Sequence, residues 1–254
     1  MRILWLVLGM AAAVNAQAGQ CSVRSGEQTA ALVELYTSEG CSSCPPADRW
    51  LSTLGGRYAG RVVPLSLHVD YWDYIGWKDP YAKAEFSRRQ RKMTQLQRAA
   101  LVYTPQVLLQ GREFRAWRAA AFDAAVRDIN AHPARAQISL AIESTGRDRI
   151  EADVRAQVRD PAQTDAVLYV AAYENKLVSQ VAAGENRGRT LAHDYVVLEW
   201  QGPFPLGRGA PLARKQSLAL LPKAVPANSG VAAFVQDRHT AEVLQALMLP
   251  VCPG

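Results

Sequence analysis

Two cysteines three residues apart, Cys41 and Cys44, sit where an apolar run gives way to a helical pattern, and this junction constrains the fold more than any other feature. Residues 31–36 (ALVELY) read as a short buried strand, and residues 47–54 (ADRWLSTL) carry apolar side chains at helical spacing. Cys41 therefore falls just outside a helix N-terminus, with Cys44 inside the first turn. Orphan amides and the positive end of the helix dipole there favour a thiolate. Only a thiolate attacks a disulfide sulfur, and two intervening residues let the second thiol close the ring. Pro45 and Pro46 suit the first helical turn, where a missing N–H costs little. Cys41 is thus the candidate nucleophile, expected to be the more exposed thiol, and Cys44 the resolving one. Ser42 and Ser43 place hydroxyls near the sulfurs.

The spacing alone leaves two other readings open. Half of a thiolate zinc site is one, although Cys21 and Cys252, the remaining cysteines, form no second close pair. An inert structural disulfide is the other. By elimination Cys21 and Cys252 are expected to pair with each other, tying the two ends of the chain together.

The first residues bear on compartment. Arg2 precedes an apolar run over 3–14, and Ala16-Gln17-Ala18 supplies small residues at a cleavage site, so residues 1–18 read as a secretory signal peptide. Gln20 directly before Cys21 argues against lipoprotein processing. No later apolar segment is long enough to span a bilayer, so the mature chain is expected to be exported, to periplasm or medium, without a stable membrane span. An oxidising compartment permits two disulfides. A chain of 254 residues with 49% hydrophobic content can bury a sizeable core. The formal charge is +6, but the densest basic run, residues 87–92, reads as a solvated helix face, and no nucleic-acid partner is expected.

Further along, 61–69 reads as a second buried strand, 81–99 as a helix, 106–110 as a third strand, 113–117 as its hairpin return and 119–130 as a helix. The order is β-α-β-α-β-β-α. Beyond a boundary at 131–135, strand patterns recur at 137–143, 149–158, 166–173, 195–200, 215–221 and 230–236, which suggests a β-sandwich of six to eight strands. Residues 19–134 and 135–254 are accordingly expected to be two domains.

Strand, Cys-x-x-Cys at a helix start, and Thr104-Pro105 before a hairpin strand together resemble the thioredoxin fold. More closely, residues 33–48 (VELYTSEGCSSCPPAD), 68–80 (HVDYWDYIGWKDP) and 184–194 (GENRGRTLAHD) resemble an uncharacterised family of bacterial secreted thioredoxin-like proteins, a domain of unknown function. The resemblance implies an α/β thioredoxin-like domain followed by the all-β sandwich. It also implies a cis Thr104–Pro105 bond beside the cysteines, where the backbone of residue 104 offers hydrogen bonds to an extended substrate. Glu34 is the candidate for the buried acid that moves protons to and from the resolving thiol in thioredoxins, although its spacing to Cys41 is one residue longer.

Loops that follow parallel strands gather at one sheet edge, so residues 70–77 should lie near Cys41, and Tyr71, Trp72, Tyr74 and Trp77 are candidates for a substrate-packing wall. They serve equally well as core cover. His68, at the strand end, reads as a core histidine before a metal ligand. Arg187, Arg189 and His193 belong to a polar loop that either bridges to the first domain or binds an anion. The favoured function is an exported thiol–disulfide oxidoreductase acting on a disulfide- or thiol-containing protein or small molecule, with no cofactor. A binding module with a structural disulfide and a Cu(I)-handling protein using Cys41, Cys44 and His68 are the rivals.

Overall fold

The computed structural model describes residues 21–252 apart from 119 and 208. The expected signal peptide, residues 1–18, lies outside the described residues. The first half runs β1 (Cys21–Arg24), β2 (Ala31–Thr37), α1 (Pro45–Ser52), α2 (Leu54–Arg57), β3 (Val62–His68), α3 (Ala84–Leu96), β4 (Gln106–Leu109), β5 (Arg112–Glu113) and α4 (Ala120–Ala131). The second half runs β6 (Ala136–Thr145), β7 (Arg149–Val158), β8 (Ala166–Glu174), β9 (Leu177–Gln180), β10 (Thr190–His193), β11 (Val196–Pro205), β12 (Leu212–Ala219), β13 (Ser229–Asp237) and β14 (Val243–Pro250).

The fold is mixed α/β and dominated by sheet. Eight strands form one sheet in the order β14-β13-β8-β11-β3-β2-β4-β5, and four form a second, β1-β6-β7-β12. β2 and β3 pair in parallel, as their continuous apolar runs and the intervening helix require. β2 sends Ala31, Val33 and Leu35 into a core under α1 and α4, and Leu32 and Tyr36 into a core under α3. β8 is buried along its whole length for a similar reason. Leu168, Val170 and Ala172 face the four-stranded sheet, while Tyr169 and Tyr173 face the α3 side. β6 and β7 alternate buried and half-exposed residues, the pattern of strands with one wet face.

The two segments expected to be separate domains share the large sheet. β11 lies antiparallel to β8 and parallel to β3, pairing Val196 with Ser66, and the Ser66 amide donates to the Tyr195 carbonyl at 2.8 Å. A break after residue 134 would leave the edge of β3 unpaired and its apolar side chains wet, so the sheet continues across it. The sandwich is thus formed by the four-stranded sheet against one half of the eight-stranded one. β5 is shorter than the expected 113–117 strand, and β1, β9, β10 and β14 are strands that the sequence pattern did not mark. The expected Cys21–Cys252 bond is present with Cα atoms 5.8 Å apart, joining β1 to the residues after β14.

Candidate functional site

Cys41 and Cys44 are joined by a disulfide, their Cα atoms 5.4 Å apart, at the head of α1. Cys44 is the N-cap of that helix and not part of its first turn. Its amide donates to the Cys41 carbonyl at 3.2 Å, and its own carbonyl accepts from Ala47 at 2.8 Å. Because positions 45 and 46 are prolines, the first helical turn offers the sulfurs no free amide, and only the helix dipole remains to favour a thiolate. Ser43 Oγ lies 3.3 Å from Cys41 Sγ. Both cysteines are buried, Cys41 at 1% exposure and Cys44 at 0%, so the expected difference in exposure is absent from the disulfide form.

Two segments far along the chain close over this turn. The Asn186 side-chain amide, itself buried, donates to the Glu39 carbonyl at 2.8 Å and the Cys41 carbonyl at 2.9 Å. The Glu185 carboxylate accepts the Ser42 amide at 2.9 Å. On the other side Gly40 meets the loop after β3, where an added Cβ would lie 3.2 Å from both Trp72 Cβ and Ile75 Cδ1. The loops themselves touch at Gly184, whose φ of +73° favours glycine and whose added Cβ would lie 2.9 Å from Ile75 Cδ1.

Beneath the turn lies a buried polar cluster. His68 Nδ1 is 2.7 Å from Asp79 Oδ2, which also accepts the Glu39 amide at 2.8 Å, while Asp79 Oδ1 accepts the Tyr81 amide at 2.9 Å. Glu39 accepts from Trp77 Nε1 at 2.8 Å, and its other oxygen is 3.2 Å from His193 Nε2. His193 Nδ1 faces Asp48 Oδ2 at 3.9 Å, and the two imidazole rings meet edge to face at 4.9 Å between centroids. Among the described residues Asp48 Oδ1, His68 Nε2 and His193 Nδ1 are buried without a hydrogen-bond partner. Burial disfavours the His68 cation, but the Asp79 carboxylate, with Asp48 and Glu39 beyond it, raises its pKa above the usual imidazole value. Burial also pushes Asp79 upward, yet His68 and the Glu39 and Tyr81 amides hold it below the usual carboxylate range. For Asp48 burial prevails over His193 and His68, and its pKa is raised.

The remaining candidates are dispersed. Glu34 does not belong to the cysteine site. It points to the opposite face of the sheet, where Arg89 holds both its oxygens at 2.6 and 3.1 Å and Tyr36 OH donates to one of them at 3.3 Å. The Arg89 guanidinium in turn lies 4.7 Å from the Trp200 ring centroid and 4.8 Å from that of Tyr169. Of the four expected wall aromatics, Trp77 reaches into the polar cluster and Trp72 donates to Thr104 Oγ1 at 2.7 Å. Tyr71 bonds Gln90 of α3, and Tyr74 stands 84% exposed. The Thr104–Pro105 bond is cis, as expected, and so is Gly202–Pro203, which was not. Pro105 lines an open groove of about 460 Å³ with Leu101, Tyr103, Arg115 and Trp117. Arg187 and Arg189 are exposed, and Arg189 donates to Asn186 Oδ1 at 3.1 Å. Among the described residues no group of three or more His, Cys, Asp or Glu side chains has the geometry to hold a metal ion. Glu39, Asp48, Asp79 and Asn186 went unmarked in the sequence, although each falls within one of the three long polar motifs.

Fold and site define a sheet-dominated α/β protein with one disulfide closing the turn at the head of α1 and another joining Cys21 to Cys252. Residues 32–236 match the family described as protein of unknown function DUF1223, and the chain belongs to it. That span holds Cys41, Cys44 and the whole polar cluster and leaves out Cys21 and Cys252. The crystal structure of an Agrobacterium tumefaciens protein is similar at a TM-score of 0.67 and 25% identity, over 90% of this chain and 97% of that one. HBP35 of Porphyromonas gingivalis is similar in fold at a TM-score of 0.66 and 16% identity, over 89% of this chain and 76% of that one. No curated protein matches the sequence.

Proposed function

We propose that the protein is an exported thiol–disulfide oxidoreductase with a thioredoxin-like core, working through Cys41 and Cys44. The observation that carries this reading is a disulfide closed across two residues at the head of a helix that follows a buried parallel strand. A thiol of the substrate attacks Cys41, and Cys44 leaves or returns as the resolving thiol. The groove beside Pro105, with Tyr103 and Trp117 as walls, suits an extended segment of a partner protein. Two disulfides and the apolar leader support an oxidising compartment.

Titration of the full chain against glutathione buffers tests the reading. An enzyme pair equilibrates with glutathione, as catalytic disulfides do, whereas a structural bond resists it. The burial of both cysteines favours the second reading, a binding module whose Cys41–Cys44 bond is structural. A pair that stays oxidised throughout the glutathione range decides for that module and against the enzyme.

A further inference from the structure

Positive charge is spread unevenly along this chain. Residues 86–122 hold eight of the 29 Lys and Arg side chains and one of the 23 acids, Glu113, so this stretch alone accounts for the whole formal charge of +6 and leaves the remainder slightly negative. Arg89 is taken up by Glu34, and Arg115 lies 3.2 Å from Glu113. Arg88, Arg91, Lys92, Arg98 and Arg118 are exposed, and among the described residues none of them has a carboxylate within ion-pair distance. Side-chain amides of α3 bind the stretch into one surface. Gln90 Nε2 donates to the Tyr103 carbonyl at 2.8 Å and to Gln106 Oε1 at 2.9 Å, while Gln97 donates to the Gly111 carbonyl at 3.0 Å and accepts from the Glu113 amide at 2.8 Å.

The groove of about 460 Å³ lies within this basic surface. Leu101, on its wall, is 65% exposed, an unusual state for a leucine and a sign of apolar surface left open. Cations stand on the other walls. The Arg118 guanidinium lies 4.4 Å from the Trp117 ring centroid, and that of Arg115 lies 6.0 Å from the Tyr103 ring. The groove also reaches toward the cysteine turn. Trp72 donates to Thr104 Oγ1, next to Pro105, and its Cβ packs against Gly40, the residue before Cys41.

We propose that this basic face docks an acidic, extended segment of a partner protein, with an apolar side chain of that segment in the groove and its carboxylates on the surrounding guanidinium groups. Calling the segment a substrate rests on the oxidoreductase reading, whereas the docking does not. An apolar centre inside a charged rim is the anatomy of a protein interface. Guanidinium groups suit the partner because their planar forks match carboxylates. Exposed charges are screened and individually weak, but a one-signed cluster steers association and selects against like charge. A membrane surface fits the face less well, because Leu101, Tyr103 and Trp117 line a concave groove that takes a chain, whereas insertion into a bilayer needs an apolar face that projects.

Fluorescence anisotropy of the full chain with two rhodamine-labelled, cysteine-free peptides of equal length is the test. One carries a leucine among aspartates and glutamates, the other the same leucine among lysines. The wild type should bind the acidic peptide at least about tenfold more tightly at low salt. That preference should collapse toward 1 M salt, where the Debye length is only about 3 Å. Arg98→Glu with Arg118→Glu should remove the preference, and Leu101→Ser should weaken the acidic peptide without improving the basic one. Should the charge reversal lower the melting temperature, Arg98→Gln with Arg118→Gln should still reduce the preference. Equal binding of the two peptides by the wild type, or a preference that survives both arginine variants, overturns the docking. Capture of phosphatidylglycerol vesicles without the acidic peptide assigns the face to a membrane and overturns it too. Glutathione exchange, measured alongside, separates the two proposals. A chain inert to glutathione that still selects the acidic peptide loses the oxidoreductase reading and keeps the docking, and one that exchanges without selecting does the reverse.

Discussion

The buried Asn186 side chain bonds the Cys41 carbonyl oxygen at 2.9 Å across 145 residues of sequence, so the second half of the chain holds the cysteine turn of the first. The same amide takes the Glu39 carbonyl, which makes Asn186 the pin of the loop that covers the disulfide.

Replacing that pin should therefore loosen the cover. Asn186→Ala removes the side-chain donor of the buried Glu39 carbonyl and one of the two donors to the Cys41 carbonyl, and is expected to cost about 1–3 kcal/mol of stability. Local opening should also speed reduction of Cys41–Cys44 by dithiothreitol roughly tenfold. Thermal melts and reduction kinetics measure the two effects. An unchanged reduction rate in a destabilised variant would show that the loop does not limit access.

Glu34→Ala should cost stability without touching the redox pair. It strands the buried Arg89 cation beneath Trp200 and Tyr169, a loss of about 3–5 kcal/mol by the usual behaviour of a broken buried pair. Denaturant unfolding gives the loss, and the glutathione titration should superimpose on that of the wild type. A shifted titration would return Glu34 to the cysteine site.

The His68–Asp79 pair makes stability depend on pH in a defined sense. The folded-state pKa of His68 is raised, so its contribution is complete below the free imidazole value of about 6.5 and is lost as pH rises through the folded value. Asp79, held low, contributes above the ordinary carboxylate range and is lost only in acid. Melting temperatures of the wild type should fall as pH rises above about 6.5, and those of His68→Gln should lack that component. Parallel curves for the two proteins would refute the pairing as the cause.

Removing the terminal disulfide with Cys21→Ser and Cys252→Ser together should destabilise the chain strongly. The bond closes 231 residues, for which the chain-entropy model gives an upper value of about 5 kcal/mol. The Cys41–Cys44 titration should stay where it was, because Cys21 packs in the core between the two sheets and the Cys41–Cys44 turn lies outside that core. Calorimetry and the same glutathione series read both quantities. A shifted titration would show that the two bonds are coupled.

The sequence by itself determined what local chemistry and short periods determine. The cysteine pair at a strand-to-helix junction, the β-α-β-α-β-β-α order and the pairing of Cys21 with Cys252 were legible because neighbours a few residues apart, or simple elimination, specify them. Period-two and unbroken apolar runs also told which strands have one buried face and which have two. They did not tell which partner covers each face, since that is a choice among distant surfaces. So β11 beside β3, which merges the two expected domains into one sheet, appeared only in the tertiary structure. β14 was missed because Gln245 interrupts its apolar run, and that glutamine is buried to serve the Gly26 and Gln28 carbonyls and the Ala30 amide. The acid near the cysteines was likewise decided by packing. β2 turns Glu34 toward α3 and Arg89, while α1 turns Asp48 toward His193, a histidine placed 145 residues later in the chain. A buried charge goes where its counter-charge can be brought, and only the completed fold fixes where that is.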